Sequence, residues 1–344
     1  MPFLIKSKAP LRISFGGGGT DIPPFPERYG GVVLSATIDK YIKTVLKFRK
    51  DKKLAIKING SRKIIYPDIN KIKYDGKIDQ VLAVINHLYK KSQGIDIEIK
   101  EDINSCGLGG SSSLFVSLIG AFNELLKNKL NKYQIAKLAF DIERKELTYL
   151  GGKQDQYAAA FGGINWIEFK KSGEVRVIPL KLPKKTIRNL EKSLILFKIG
   201  KRKSSEELMK EQIKNTKTKK ETIKALCETK KIAFGMKKVL FDSNLEEFGR
   251  LLDKAWQLKK KFSSLISNKR IDFVYEKLKG KGALGGKICG AGGGGFMLIL
   301  CEPNKKNELV KEIRKLKLKP ISFKFEFSGL LVKKLNKVFK LEQN

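Results

Sequence analysis

Three widely separated glycine clusters constrain the fold of this chain more than any other feature. They occupy residues 16–19, 107–110 and 290–295, and each adjoins an apolar strand-like or helix-like run. A single cluster commonly marks a tight turn, because glycine adopts positive φ angles at little cost. Three clusters favour loops that hold a phosphate, since the missing Cβ lets backbone N–H groups approach the anion. The sequence therefore predicts a phosphate-binding protein.

The central cluster carries the clearest chemical signal. Residues 106–113 read CGLGGSSS and precede an apolar segment that predicts a helix over 111–126. A helix N-terminus presents unpaired N–H groups and the positive end of the helix dipole, which together bind phosphate. The three serines are candidates to cap this helix, and one of them is also a candidate magnesium ligand. We therefore predict a phosphate loop at this position.

Other nucleotide-binding and catalytic patterns fail on inspection. No G-K pair completes a Walker A sequence. The G-x-G-x-x-G at 290–295 precedes the strand-like run 296–300 instead of the helix that a Rossmann fold needs. The single histidine, His87, falls off the apolar stripe of its predicted helix and is expected at the surface. A Ser-His-Asp triad or a multi-histidine metal site would rest on that residue alone.

Two carboxylates follow the central cluster. Glu143 lies among apolar residues of a predicted helix, and Asp155 lies in the run GGKQDQY at 151–157. Phosphoryl transfer needs one carboxylate to hold magnesium and another to handle the attacking hydroxyl. Two structural alternatives stay open. Glu143 could pair with Arg144 or Lys145 at the helix surface, and Asp155 could cap a helix.

The formal net charge of +37 raises the alternative of a basic nucleic-acid-binding protein. Lysine greatly outnumbers arginine and the charge is spread along the chain, so we expect a solvated basic surface and no nucleic-acid partner. Four cysteines without C-x-x-C spacing are expected to be free thiols. No apolar run reaches about 18 residues, and no signal-peptide core begins the chain. We therefore expect a cytoplasmic location and no membrane partner.

The order of predicted elements divides the chain into two parts. The first begins with strands over 3–15 and 32–48 and continues with helices, the pattern of an α+β domain. In the second, a long helix over 204–241 accompanies alternating strands and helices, which suits a split β-α-β domain. We place domains at 1–183 and 184–344, with a nucleotide cleft between them. The other predicted segments are strands over 95–99, 164–169, 175–180, 193–199, 284–289, 296–301 and 320–327, and helices over 132–149, 245–261 and 304–316.

Three motifs, in this order, resemble those of the GHMP kinase superfamily. APLRISFGGGGTD at 9–21 resembles the first motif in its sugar-kinase form, GLGGSS at 107–112 the phosphate loop, and KICGAGGGG at 287–295 the third motif. The resemblance spans nearly the whole chain. It implies an α+β, two-domain GHMP kinase fold, with a first half like ribosomal protein S5 domain 2 and a ferredoxin-like second half. It also implies phosphorylation of an alcohol group with ATP as co-substrate and Mg²⁺ as cofactor.

Further similarity within the superfamily indicates the acceptor. GGGTD at 17–21, GGKQDQYAAAFGG at 151–163 and GKRKSSEEL at 200–208 look most like heptose 7-phosphate kinases, with fucokinases next. The resemblance implies transfer of the γ-phosphate to the anomeric hydroxyl of D-glycero-D-manno-heptose 7-phosphate. A non-phosphorylated sugar such as fucose or galactose is the alternative acceptor. The expected partners are thus a small sugar phosphate and ATP, bound by a monomer or homodimer.

The resemblance also assigns roles to individual residues. Gly110 stands where relatives more usually have serine or threonine, so the choice of magnesium ligand between Ser111 and Ser112 stays open. The assigned residues are Asp155 and Arg12 for catalysis, Asp21, Gly18 and Thr20 for the sugar, Gly107, Leu108, Gly109, Gly110, Ser111, Ser112, Gly292 and Gly293 for ATP, and Ser111 and Glu143 for magnesium.

The segment that begins at Lys201 is the predicted contact for the acceptor's own phosphate. Lys201 and Arg202 precede a helix start where Ser204 and Glu207 have the spacing of a capping box. A guanidinium grips phosphate bidentately, and the N-terminus of a helix favours an anion. An ordinary solvated basic run is the alternative. We predict that Lys201, Arg202 and Ser204 bind the substrate.

Overall fold

The computed structural model describes residues 3–202 and 205–336, which form two sheets flanked by helices. The strands are β1 (Phe3–Gly16), β2 (Gly31–Phe48), β3 (Leu54–Ile58), β4 (Ile64–Tyr66), β5 (Ile95–Glu101), β6 (Ile164–Phe169), β7 (Val175–Pro179), β8 (Leu194–Gly200), β9 (Ala283–Ile288), β10 (Gly295–Cys301), β11 (Pro320–Ile321) and β12 (Leu331–Asn336). The helices are α1 (Phe25–Tyr29), α2 (Asp79–Leu88), α3 (Gly110–Leu126), α4 (Lys132–Asp141), α5 (Gln154–Phe161), α6 (Lys184–Ser193), α7 (Ser205–Thr218), α8 (Lys220–Phe241), α9 (Leu245–Lys259), α10 (Lys269–Lys279) and α11 (Lys306–Lys315).

The first sheet is built around the long strands β1 and β2. Its order is β12-β1-β2-β5-β3-β4, and β6 pairs with both β2 and β7. Residues 31–36 of β2 pair with β6, whereas residues 42–48 pair with β5. In β5 every second residue is buried, as its alternating isoleucines predict, because successive side chains point to opposite faces of a sheet. Helix α3 packs on β1 and β2, which fixes its N-terminus near the end of β1.

The second sheet has the order β11-β8-β10-β9, and its strands are antiparallel. All residues of β10 are buried, because helices cover the sheet. The two sheets share a core: the ring of Phe15 at the end of β1 lies 5.4 Å from that of Phe248 in α9. Strand β12 returns to pair with β1. The predicted domain boundary near residue 183 stays a prediction. Strand β12, which follows that boundary in sequence, belongs to the first sheet.

Three predicted segments differ from the structure. The helix predicted over 132–149 ends as a π-helical turn, Ile142–Glu146. The helix predicted over 204–241 is two helices, because Lys219 adopts an extended conformation between α7 and α8. The strand predicted over 320–327 is confined to β11, because the rest of the segment crosses to the first sheet, where Glu326 N–H donates to the Thr37 carbonyl.

Short or strongly charged elements escaped the sequence analysis. Strands β3, β4 and β12 and helices α6 and α10 were not predicted. In α6 only three residues are buried, so its apolar stripe is too narrow to stand out. Two other expectations are confirmed: His87 is half exposed, and the four cysteines are free. Across the described ranges, no helix is both long enough and apolar enough to cross a bilayer.

Candidate active site

A cleft of about 670 Å³ lies where the three glycine clusters meet. The loop between β1 and α1, the loop before α3 and the loop between β9 and β10 form part of its wall. Helices α5, α7 and α9 supply further lining residues. Side chains from both sheets and their helices therefore converge on one site, as expected for a ligand cleft between two parts of a chain.

The predicted phosphate loop leads directly into α3. Gly107 and Gly109 have φ angles of 88° and 82°, which glycine adopts without strain. A Cβ on Gly110 would lie 1.8 Å from Ser105 Oγ, so no larger residue fits there. The prediction that a serine caps α3 is wrong, because Gly109 is the N-cap residue and no side chain bonds to the first turn. The first N–H groups of α3 thus keep their capacity to bind an anion.

Arg12 and Asp155 form a bidentate ion pair against this loop. Arg12 Nε and Nη2 donate to the two Asp155 carboxylate oxygens at 2.7 Å each, and Nη1 donates to the Gly107 carbonyl at 2.7 Å. A Cβ on Gly109 would lie 3.4 Å from Asp155 Oδ2. Asp155 occupies the first turn of α5 and does not cap it, which excludes that alternative. The ion pair therefore fixes the orientation of a partly exposed carboxylate beside the phosphate loop.

Glu143 is buried, so the alternative of an ion pair at the helix surface is wrong in its location, although Arg144 Nη1 does lie 3.8 Å from Glu143 Oε1. Its carboxylate accepts hydrogen bonds from Ser111 Oγ at 2.7 Å, Ser112 Oγ at 2.8 Å and Gln156 Nε2 at 2.7 Å. The π-helical turn carries Glu143 inward, while Lys145 pairs with Asp141. Two serine hydroxyls and a carboxylate thus lie together at the start of α3. Hard oxygen donors of this kind suit Mg²⁺, which commonly uses one or two carboxylates and completes its shell with phosphate oxygens and water.

Asp21 is a buried carboxylate in the loop that contains the first glycine cluster. It accepts hydrogen bonds from the N–H groups of Gly19 and Gln154 and from Gln154 Nε2, at 3.0–3.2 Å. Burial raises the pKa of Asp21, and the charge of Asp155 raises it further. Thr20 is fully buried, and its hydroxyl bonds to the backbone of Gly17 and Val32. Asp21 therefore faces the cleft, whereas Thr20 holds the loop in place.

The third glycine loop packs against the phosphate loop. A Cβ on Gly290 would lie 2.7 Å from the Gly107 carbonyl oxygen. Arg202 Nε donates to the Gly292 carbonyl at 2.7 Å, while its Nη2 is buried and has no hydrogen-bond partner among the residues that the structure describes. Burial lowers the pKa of Arg202 from its ordinary value. Strand β10 follows this loop, so the absence of a Rossmann helix is confirmed.

Comparison with known proteins decides the family. Family models for the GHMP kinases N-terminal and C-terminal domains match residues 78–163 and 223–317. A D-glycero-alpha-D-manno-heptose 7-phosphate kinase from Campylobacter jejuni is 36% identical over 317 residues, covering 90% of this chain and 93% of the relative. The chain belongs to the GHMP kinase family.

Two further relatives differ in what their names say they act on. The crystal structure of a D-glycero-D-manno-heptose 1-phosphate kinase from Bacteroides thetaiotaomicron matches this GHMP kinase with a TM-score of 0.82 and 31% identity, over 97% of this chain and 100% of that chain. A bifunctional fucokinase/GDP-fucose pyrophosphorylase from Arabidopsis thaliana is 25% identical, over 91% of this chain and 31% of that protein. These comparisons confirm the predicted family, its α+β fold and the class of ATP-dependent kinase.

Most predicted site residues of this GHMP kinase converge on the cleft, and some do not. Thr20 and Leu108 are buried and do not line the cleft, so their predicted ligand contacts stay predictions. Lys201, Gly292 and Gly293 do not line the cleft either, and Ser204 lies outside the described residues. The residues that do line it are Gly18, Asp21, Gly107, Gly109, Gly110, Ser111, Ser112, Glu143, Asp155 and Arg202. Arg12 lies behind Asp155 as its partner.

The sequence analysis missed two buried lysines of the cleft. Lys259 ends α9 and donates to the carbonyls of Ile288 and Gly290, and Lys287 in β9 donates to the Phe15 carbonyl at 3.3 Å. Burial lowers the pKa of Lys259 well below its ordinary value and that of Lys287 to about 8. The position of Lys287 as the first residue of the motif KICGAGGGG at 287–295 was an available signal. Lys259 had none, because it begins a run of three lysines, 259–261, in a chain that contains many lysines.

Proposed function

We propose that this GHMP kinase transfers the γ-phosphate of ATP to the anomeric hydroxyl of D-glycero-D-manno-heptose 7-phosphate, giving the 1,7-bisphosphate. The similarity to the Campylobacter jejuni heptose 7-phosphate kinase, over 93% of that enzyme, carries the proposal. The net positive charge supports it, because a positive field attracts nucleotides and sugar phosphates. The cytoplasmic location and the monomeric or homodimeric state stay predictions.

In this proposal Asp155 handles the attacking hydroxyl. The acceptor binds between Asp155 and Asp21, both of which line the cleft. The oxygen of the anomeric hydroxyl bonds to the γ-phosphorus, and Asp155 accepts the proton that this hydroxyl loses. The bond between the γ-phosphorus and the bridging β-phosphate oxygen breaks, and ADP leaves. Arg12 keeps the carboxylate aimed at the hydroxyl. The N–H groups of α3 stabilise the charge on the phosphates.

Ser111, Ser112 and Glu143 would hold Mg²⁺ with the nucleotide. The ion would neutralise charge on the β- and γ-phosphates when bound. Glu143 already orients both hydroxyls, so their oxygen lone pairs remain able to face a cation. Gln156 Nε2 donates to the same carboxylate oxygen, Oε2, as the Ser112 hydroxyl and so restricts its rotation further.

Changing Glu143 to glutamine is expected to raise the magnesium concentration that gives half-maximal activity by about 10-fold or more, because the site loses its carboxylate charge. The measurement is initial rate against Mg²⁺ concentration at saturating ATP and acceptor. Glu146→Gln is the matched control, since Glu146 lies on the same π-helical turn and is more exposed. An unchanged magnesium requirement in Glu143→Gln would remove this residue from the metal site.

The acceptor itself is tested with a panel of sugars and ATP. We expect kcat/KM for heptose 7-phosphate to exceed that for the unphosphorylated heptose, fucose and galactose by about 10²-fold, because a site built for a phosphate rejects analogues that lack it. Phosphorus NMR should show the new phosphate on the anomeric oxygen. Turnover of heptose 1-phosphate, in which that oxygen is blocked, would contradict the proposal. Preference for fucose would favour the fucokinase-like alternative. Salt-sensitive binding of nucleic acid without turnover of any sugar would favour the alternative of a nucleic-acid-binding protein.

A further inference from the structure

Two buried lysines of the cleft lack a salt bridge to any residue that the structure describes. Lys259 and Lys287, which we term the lysine pair, are 7% and 4% exposed. Their hydrogen bonds go only to the carbonyls of Phe15, Ile288 and Gly290. A carbonyl does not neutralise an ammonium group, so each charge is buried without compensation. Such an arrangement is stable as a charged state only when an anion joins it.

The surrounding charges do not provide that anion. Arg12 and Asp155 neutralise each other as an ion pair. Asp21 acts electrostatically on Lys287, but it forms no ion pair with either lysine within the described ranges and is already held by Gly19 and Gln154. Burial and the mutual repulsion of the neighbouring cations lower the pKa of Lys259. The local charge balance therefore favours an anionic ligand.

The lysine pair lines the cleft together with Asp21. Lys287 donates to the carbonyl of Phe15, the residue directly before the first glycine loop. Lys259 ends the helix that leads into Phe262, and a Cβ on Gly19 would lie 2.9 Å from the Phe262 ring. Lys287 is thus bonded to the start of the loop that carries Asp21, whereas Lys259 is bonded to the start of the third glycine loop. The proposed metal ligands, in contrast, lie at the start of α3.

We propose that Lys259 and Lys287 form the seat for a phosphate group carried by the acceptor. This inference rests on the proposed function and deepens it. Each ammonium group has three N–H donors. Lys259 uses two of them and Lys287 one, which leaves three for the terminal oxygens of a phosphate. Arg202 is the competing candidate, since its guanidinium lies against Gly107 and Gly292 and also lines the cleft.

The decisive variant is Lys259→Met, which keeps the length of the side chain and removes its charge. We expect the ratio of kcat/KM for heptose 7-phosphate to that for unphosphorylated heptose to fall by about 10- to 100-fold, as for loss of a charge-assisted hydrogen bond. The KM for ATP should stay unchanged. Lys254→Met on the exposed side of α9 is the matched control and should leave the ratio as in the wild type.

Three further measurements distinguish a phosphate site at the lysine pair from one at Arg202 and from a general loss of stability. Lys287→Met should lower the same ratio, and the melting temperatures of both variants should not fall, because neither loses an acidic partner. Inorganic phosphate, titrated with the nucleotide site filled by ADP, should bind at least about 10-fold more weakly to Lys259→Met than to the wild type. Arg202→Ala is measured in parallel for both substrates.

Failure of the seat and failure of the proposed function give different results. A wild type that prefers no phosphorylated sugar rejects the proposed function, and the phosphate titration then decides the seat by itself. A wild-type preference that survives in Lys259→Met rejects the seat. A rise in the KM for ATP in the lysine variants, or loss of the preference only in Arg202→Ala, also overturns it.

Discussion

Replacing Asp155 with asparagine is expected to lower kcat by about 10²- to 10⁴-fold, the usual loss when a group that accepts the reacting proton is removed. Asparagine keeps the size of the side chain but accepts no proton. It also leaves the buried Arg12 without its counter-charge, so we expect a loss of stability of about 1–3 kcal/mol. The measurement is single-turnover phosphoryl transfer at saturating ATP, magnesium and heptose 7-phosphate, at a temperature where the variant is folded.

Asp141→Asn is the control for this variant, because Asp141 forms ion pairs with Lys137 and Lys145 at the surface, away from the cleft. It should retain the wild-type kcat. Asp155→Glu distinguishes chemistry from charge: it keeps the carboxylate but displaces it, so kcat should fall while the melting temperature changes little. An Asp155→Asn enzyme with nearly normal kcat would overturn the role proposed for this residue.

Replacing Gly152 with alanine is expected to lower kcat/KM for the acceptor by about 10²-fold, because misplacing a binding group by about 1 Å has effects of that size. The added Cβ would lie 1.8 Å from Asp21 Oδ2. Three hydrogen bonds hold the Asp21 carboxylate, so it cannot move aside without losing them. The KM for ATP should change little, since the phosphate loop is not in contact with this Cβ.

Gly280→Ala is the matched control for this glycine. A Cβ there would meet only the Glu276 and Lys277 carbonyls, at 3.6 Å and 3.8 Å, which are ordinary contacts. Activity should therefore remain at the wild-type level. If Gly152→Ala raised the KM for ATP as much as the KM for the acceptor, Asp21 would not be an acceptor contact.

Local patterns in the sequence were enough to predict the framework of this GHMP kinase. The glycine loops, α3 and strands β1, β2 and β5 follow from residues that lie next to each other in the chain, because backbone conformation and side-chain period are short-range properties. The predictions failed where a segment's structure depends on distant partners. Strand β12 is rich in lysine and forms because β1 offers an unpaired edge.

The sequence by itself determined the family, the phosphate loop and the identity of the carboxylates, whereas the tertiary structure decided which side chains share the cleft. Arg12 and Asp155 lie 143 residues apart, and only folding makes them an ion pair. Thr20 sits within a predicted motif but turns into the protein to hold its loop. Lys259 is one of many lysines in the sequence and becomes distinct only through burial beside the third glycine loop. The physical reason is that the energy of a charge depends on its neighbours and its solvent exposure, which packing sets.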